Sequence, residues 1–149
     1  MATALLAKYL FIAGTIPFIL LGTIHWIYTF MDMRKAHMKE PGKFAPRDDV
    51  VRIGMQATTM RLTNRTTLWK GYMGFHHSHS IGAIFFGLIF LILAVQNFGA
   101  LVDNLILMRL ATVVPLIYLW VSVRFWFRTP TIGIGIGAAC FIASFLLTL

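Results

Sequence analysis

Long apolar runs constrain this chain more than any motif in it. They cover about Leu5 to Phe30, His76 to Gln96, Leu105 to Arg124 and Thr131 to Leu149. In lipid no water is present to bond the backbone, so a spanning segment must satisfy its own N–H and C=O groups. About 20 apolar residues do so as a helix. The last run alternates glycine with isoleucine as a strand would, yet its length demands a helix. The N-terminal run carries Lys8 and continues too far for a signal-peptide core, with no small-residue cleavage pattern after it, so it is read as a retained first helix. The expected fold is an all-α integral membrane protein, a single transmembrane domain over residues 1–149. It is a four-transmembrane-helix bundle with a cytoplasmic amphipathic segment between helices 1 and 2.

Charge supports the same picture. Hydrophobic residues make up 58% of the chain and charged ones 12%, and of the 13 Lys and Arg residues nine lie between Arg34 and Lys70. A net charge of +8 held in one segment beside spanning helices fits the positive-inside rule and anionic headgroups, and no aromatic-basic surface module points to nucleic acid. Segments 31–70 and 124–130 are therefore expected to be cytoplasmic, with both termini on the opposite side, in a bacterial inner membrane. The turn from Gln96 to Asn104 carries no Lys or Arg.

Within the basic segment, Pro41, Gly42 and Pro46 interrupt regular structure. Asp48 or Asp49 then caps an amphipathic helix whose apolar positions are Val50, Ile53, Ala57 and Met60, with Arg52, Arg61 and Arg65 elsewhere on its circumference. A short extended stretch around Thr58 to Thr63 is the alternative. Methionines 31, 33, 38, 55, 60 and 73 gather on this side, where thioethers could serve copper, or simply pack.

Helical spacing sorts the spans into faces. Gly14, Phe18, Gly22, His25, Thr29 and Asp32 share one face of helix 1. On helix 2, Trp69, His76, Ser80, Ala83, Gly87 and Ala94 share another, with Met73 and His79 on its shoulders. On helix 4 the line is Gly133, Gly137, Cys140 and Ser144. Small residues let helices approach closely in lipid, so Gly14, Gly22, Ala83, Gly87, Gly133 and Gly137 are candidate packing positions. Arg109, about a turn into helix 3, snorkels to the surface or pairs with Asp103, or alternatively binds an anion. Lone Cys140 has apolar neighbours and reads as packing.

Three of the five histidines lie in Phe75-His76-His77-Ser78-His79, at the entrance to helix 2. Because helices 1 and 2 are antiparallel, His25 and His76 should reach similar depth on facing small-residue surfaces. Three uses follow. His25, His76 and His79 could ligate a transition metal, His25 and His76 could ligate a haem, or an imidazole could relay protons. The competing reading is that these rings bond Ser80, Thr29, Asp32 or backbone carbonyls and fasten the bundle. His77 points to a flank. Five histidines cannot furnish the boxes of a membrane di-iron desaturase. Glu40 is the only glutamate and sits in the polar segment, and no serine elbow or phosphate-cradling loop is present, which leans against an enzyme.

With Gly22-Thr23-Ile24-His25 late in the first helix and Gly74-Phe75-His76-His77-Ser78-His79-Ser80 opening the second, the chain resembles an uncharacterised family of small four-span bacterial membrane proteins. The resemblance implies a four-helix fold and a membrane location, and it carries no activity.

The function expected on these grounds is a non-enzymatic accessory subunit or homo-oligomer of a membrane assembly, motivated by the glycine faces of helices 2 and 4. Its partners would be other membrane subunits or further copies of the chain, with anionic headgroups at segment 31–70. The alternatives are a histidine-ligated metal or haem redox protein and a small transport or ion-permeation unit.

Overall fold

The computed structural model describes residues 2–35 and 42–149, so the positions of Met38, Glu40 and Pro41 lie outside the described residues. In chain order the elements are α1 (Ala2–Lys35), α2 (Asp49–Ala57), β1 (Thr59–Met60), β2 (Thr63–Thr67), α3 (Leu68–Asp103), α4 (Leu105–Phe125) and α5 (Arg128–Leu147). Four of them, α1, α3, α4 and α5, are long and apolar enough to cross a membrane. The chain divides into two compact units, one formed by the stretch up to Leu21 together with Ala83–Leu149, the other by Gly22–Gly82.

The first unit is built on aromatic packing and close helix contacts. Phe11 and Phe18 of α1, Phe86 and Phe90 of α3 and Phe141 of α5 interleave edge to face. Phe11 and Phe141 have centroids 4.9 Å apart, and Phe18 and Phe86 5.0 Å. Such edge-to-face pairs match the positive ring rim to the negative ring face. Met108 and Ala111 of α4 complete this core, and α4 lies along α5. Gly14 and Gly137 face each other. A Cβ on Gly137 would stand 2.9 Å from Phe18 Cε2 and 3.0 Å from the Gly14 carbonyl oxygen, and one on Gly14 3.2 Å from the Gly137 carbonyl oxygen. Gly87 of α3 meets the α1 backbone similarly, 3.0 Å from Thr15 O. A buried hydroxyl reinforces the α1–α5 contact, Ser144 Oγ donating to Ala7 O at 2.8 Å.

The glycine faces of α3 and α5 motivated the expectation of other subunits; at Gly87, Gly133 and Gly137 they are covered by α1 of the same chain, through Ile19, Leu21 and Phe18. Gly22 and Ala83 are also buried. The outward faces instead present Phe85, Ile92, Ile117, Trp120, Ile132 and other large apolar side chains.

Element boundaries shift for identifiable reasons. No turn fills residues 96–104; α3 continues to Asp103, broken only at Asn97 (φ −155°, ψ 84°). The Asn97 side chain accepts the Ala100 N–H at 3.0 Å and so caps the short helical piece beyond the break. Asn104 caps α4 through Leu107 N–H. Both internal prolines, Pro17 and Pro115, sit within continuous helices. Arg109 is exposed, and no ion pair joins it to Asp103 among the described residues.

In the second unit, Asp48 does cap α2, its carboxylate accepting Val50 N–H at 2.8 Å. The helix ends at Ala57 and does not reach Met60. Thr58, Thr59, Thr63, Thr66 and Thr67 explain the stop, since β-branched side chains restrict χ1 and fit a pleated ribbon better than a helix. They form an antiparallel hairpin pairing Thr59 with Thr67 and Met60 with Thr63. Leu68 N–H closes it on Thr58 O at 2.8 Å, and α3 starts directly from its second strand.

Candidate functional site

The second unit holds the imidazoles. His25 lies ten residues before the end of α1 and His76 eight residues after the start of α3. Each is followed four residues later by a fully buried hydroxyl, Thr29 and Ser80 respectively. These hydroxyls do not meet the rings, as the sequence suggested. Thr29 Oγ1 donates to His25 O at 2.8 Å and Ser80 Oγ to His76 O at 2.7 Å. Back-bonding to the carbonyl one turn earlier is what a helical Ser or Thr does when no other partner is in reach.

His25 Nε2 and His76 Nδ1 lie 2.8 Å apart. One nitrogen must carry the proton and the other accept it. The rings are near-parallel, with centroids 5.0 Å apart and an interplanar angle of 25°. His79 meets His25 edge-on at 5.7 Å, and Phe75 stacks on His79 at 6.2 Å. Three imidazoles therefore share one locale, all half-buried. Among the described residues, no three His, Cys, Asp or Glu side chains already enclose a metal position; the arrangement is a facing pair with a third ring at its edge.

Phe44 covers the pair. Its ring lies 4.4 Å from that of His25 and 4.9 Å from that of His76, nearly parallel to the latter at 18°. Two side chains hold it there. Asp32, 4% exposed, accepts Lys43 N–H at 2.9 Å on one carboxylate oxygen and Phe44 N–H at 2.6 Å on the other. Tyr72 sets its ring edge against His76 at 4.4 Å and donates its hydroxyl to Phe44 O at 3.1 Å. Gly42 makes this docking possible, because a Cβ there would overlap the Asp32 carboxylate. Charge-assisted bonds from two successive backbone amides are strong for their kind and fix the strap's register on α1.

His77 has a different neighbour. Its Nε2 lies 2.8 Å from Met33 Sδ of α1, with the Trp26 ring edge-on at 6.3 Å. Of the remaining methionines in this unit, Met73 is buried and Met60 lies against Gly71.

The sequence brought His25, His76 and His79 to one place. It missed Phe44, whose loop has no periodicity, and it treated Tyr72 only as a headgroup anchor. Gly42 followed by an aromatic, opposite an aspartate on the histidine face, was the available signal. Haem between His25 and His76 fits this geometry poorly, since axial ligands stand on opposite sides of a macrocycle and these two rings stack side by side under Phe44.

No protein-family model, curated protein or solved structure matches this chain.

Proposed function

We propose that this chain is an integral membrane protein that binds a transition-metal ion through His25 and His76, with His79 as the third ligand. The facing nitrogens of His25 and His76 carry the reading. Neutral imidazole is the commonest protein ligand for zinc and copper, and a tetrahedral ion with bonds of about 2.0 Å holds its nitrogen ligands about 3.3 Å apart. Parting the pair by about half an ångström, moving the shared proton to the donor ring's other nitrogen, turning both rings so that their lone pairs converge, and bringing His79 inward would meet that requirement. The reading of an accessory or oligomeric subunit is less well supported, since its motivating glycine faces are occupied within the chain. In this proposal the chain lies in a bacterial inner membrane. The basic segment 31–70 and residues 124–130 face the cytoplasm and its anionic headgroups, and the termini lie across the bilayer.

Protein purified in mild detergent and analysed for bound elements tests the proposal. Wild type should retain zinc near one equivalent, and His25→Ala and His76→Ala should abolish its retention. Metal-free wild type that also fails to take up added Zn(II) or Cu(II) would sink the proposal. The imidazole pair would then be a fastener between α1 and α3, visible as lower thermal stability in both variants.

A further inference from the structure

His77 and Met33 stand apart from the inner pair and use different chemistry. His77 is half-buried on α3, and Met33 is 46% exposed on α1. A methionine that fills a core is covered; this one turns its sulfur toward an imidazole nitrogen at an open edge. Among the described residues, both oxygens of the neighbouring Asp32 are taken by the Lys43 and Phe44 amides. Arg34 is laid over the Phe30 ring at 4.4 Å, and Phe30 in turn stacks on Trp26 at 6.0 Å. Among the described residues the contact brings together one imidazole nitrogen and one thioether sulfur, with an indole beside them.

Ligand softness decides what such a set can hold. Calcium, magnesium and manganese require oxygen ligands, whereas the imidazole nitrogen and thioether sulfur that meet here favour soft d10 ions and above all Cu(I). The nitrogen and sulfur come from two helices and meet where Met33 is exposed, so a change of side-chain torsions can part them to admit an ion.

We infer that His77 Nε2 and Met33 Sδ form a binding site for a soft monovalent metal ion, Cu(I) in the cell and Ag(I) as its redox-inert mimic, distinct from the His25–His76 pair. The site binds only and moves no electron. It depends on none of the inner ligands, so it stands or falls separately from the proposal above.

The experiment uses the full chain in detergent with Cys140→Ser, to remove the competing thiol, and with 13C-methyl-labelled methionine. The chain has eight methionines, and Met33→Leu identifies the resonance of Met33 by its disappearance. Ag(I) added stepwise should shift the Met33 methyl before the others. In His77→Phe the same shift should require about 10–100-fold more Ag(I), while the unchanged resonances of the other methionines report an intact fold. Zn(II) should leave Met33 where it was, and His25→Ala should not alter its response to Ag(I). A Met33 methyl that moves no earlier than the others, or that responds equally in His77→Phe, overturns the inference.

Discussion

Asp32 shows how one side chain can organise a site it never enters. Its carboxylate accepts two backbone amides, and through them holds the Phe44 ring over two imidazoles. Asparagine at this position offers one acceptor and presents an amide donor to the second N–H. That leaves a buried group without a partner, at a cost of about 1–3 kcal/mol. Gly42→Ala acts from the other side, by placing a methyl where the carboxylate sits. Both Asp32→Asn and Gly42→Ala should release the strap, and trypsin should cut after the exposed Lys43 faster than in wild type; equal cleavage rates would contradict the latch. The histidine pairing was legible beforehand because His25 and His76 each fall on a small-residue face with helical period. Phe44 was not, since a residue between two prolines in a polar segment carries no periodic signal to place it.

At the scale of elements, the segment between the first two spans is the least conventional part. A nine-residue helix is too short to be stable alone, and α2 buries none of its side chains. Val50 is 77% exposed, and Leu62 at the hairpin tip 93%. Such apolar positions beside Arg52, Arg61 and Arg65 suit a headgroup layer, where the apolar face sinks and the guanidiniums meet phosphate. Leu62→Cys in a Cys140→Ser background should react with an impermeant maleimide from the cytoplasmic face only. Anionic vesicles should slow that labelling and neutral ones should not. Labelling from the other face would reverse the proposed sidedness. The sequence suggested the capped start of α2 because an aspartate before an apolar pattern has a mechanism. Its end was misread because Met60 happens to continue the helical spacing, while the threonines around it favour a ribbon.

The first unit rests on surfaces that approach at backbone distance. Gly137→Ala puts a methyl 2.9 Å from an aromatic carbon and 3.0 Å from a carbonyl oxygen. The Phe18 ring can turn, but the α1 backbone cannot yield cheaply, so the substitution should cost about 1–3 kcal/mol. Gly137→Leu should cost more. Thermal unfolding in detergent measures both, and an unchanged midpoint for Gly137→Leu would show that α1 and α5 are not in this contact. The four long apolar helices were readable from length and hydropathy, because the pattern that marks them is local to each helix. Whether a small-residue face meets its own chain or another was not readable. The same glycine spacing serves both, and only the fold shows that α1 is the occupant.

Ser144 and Gly137 belong to the last helix and their partners, Ala7 and Gly14, to the first. That pairing has a consequence for biogenesis. When α1 leaves the ribosome one of its neighbours, α5, has not yet been made, and more than a hundred residues must follow before Ser144 can find Ala7. During that interval Phe11, Phe18 and the bare Gly14 backbone lack the α5 surface that covers them in the finished fold. A nascent chain halted before α5 would expose this unclosed groove, a surface that membrane quality control can recognise as unfinished.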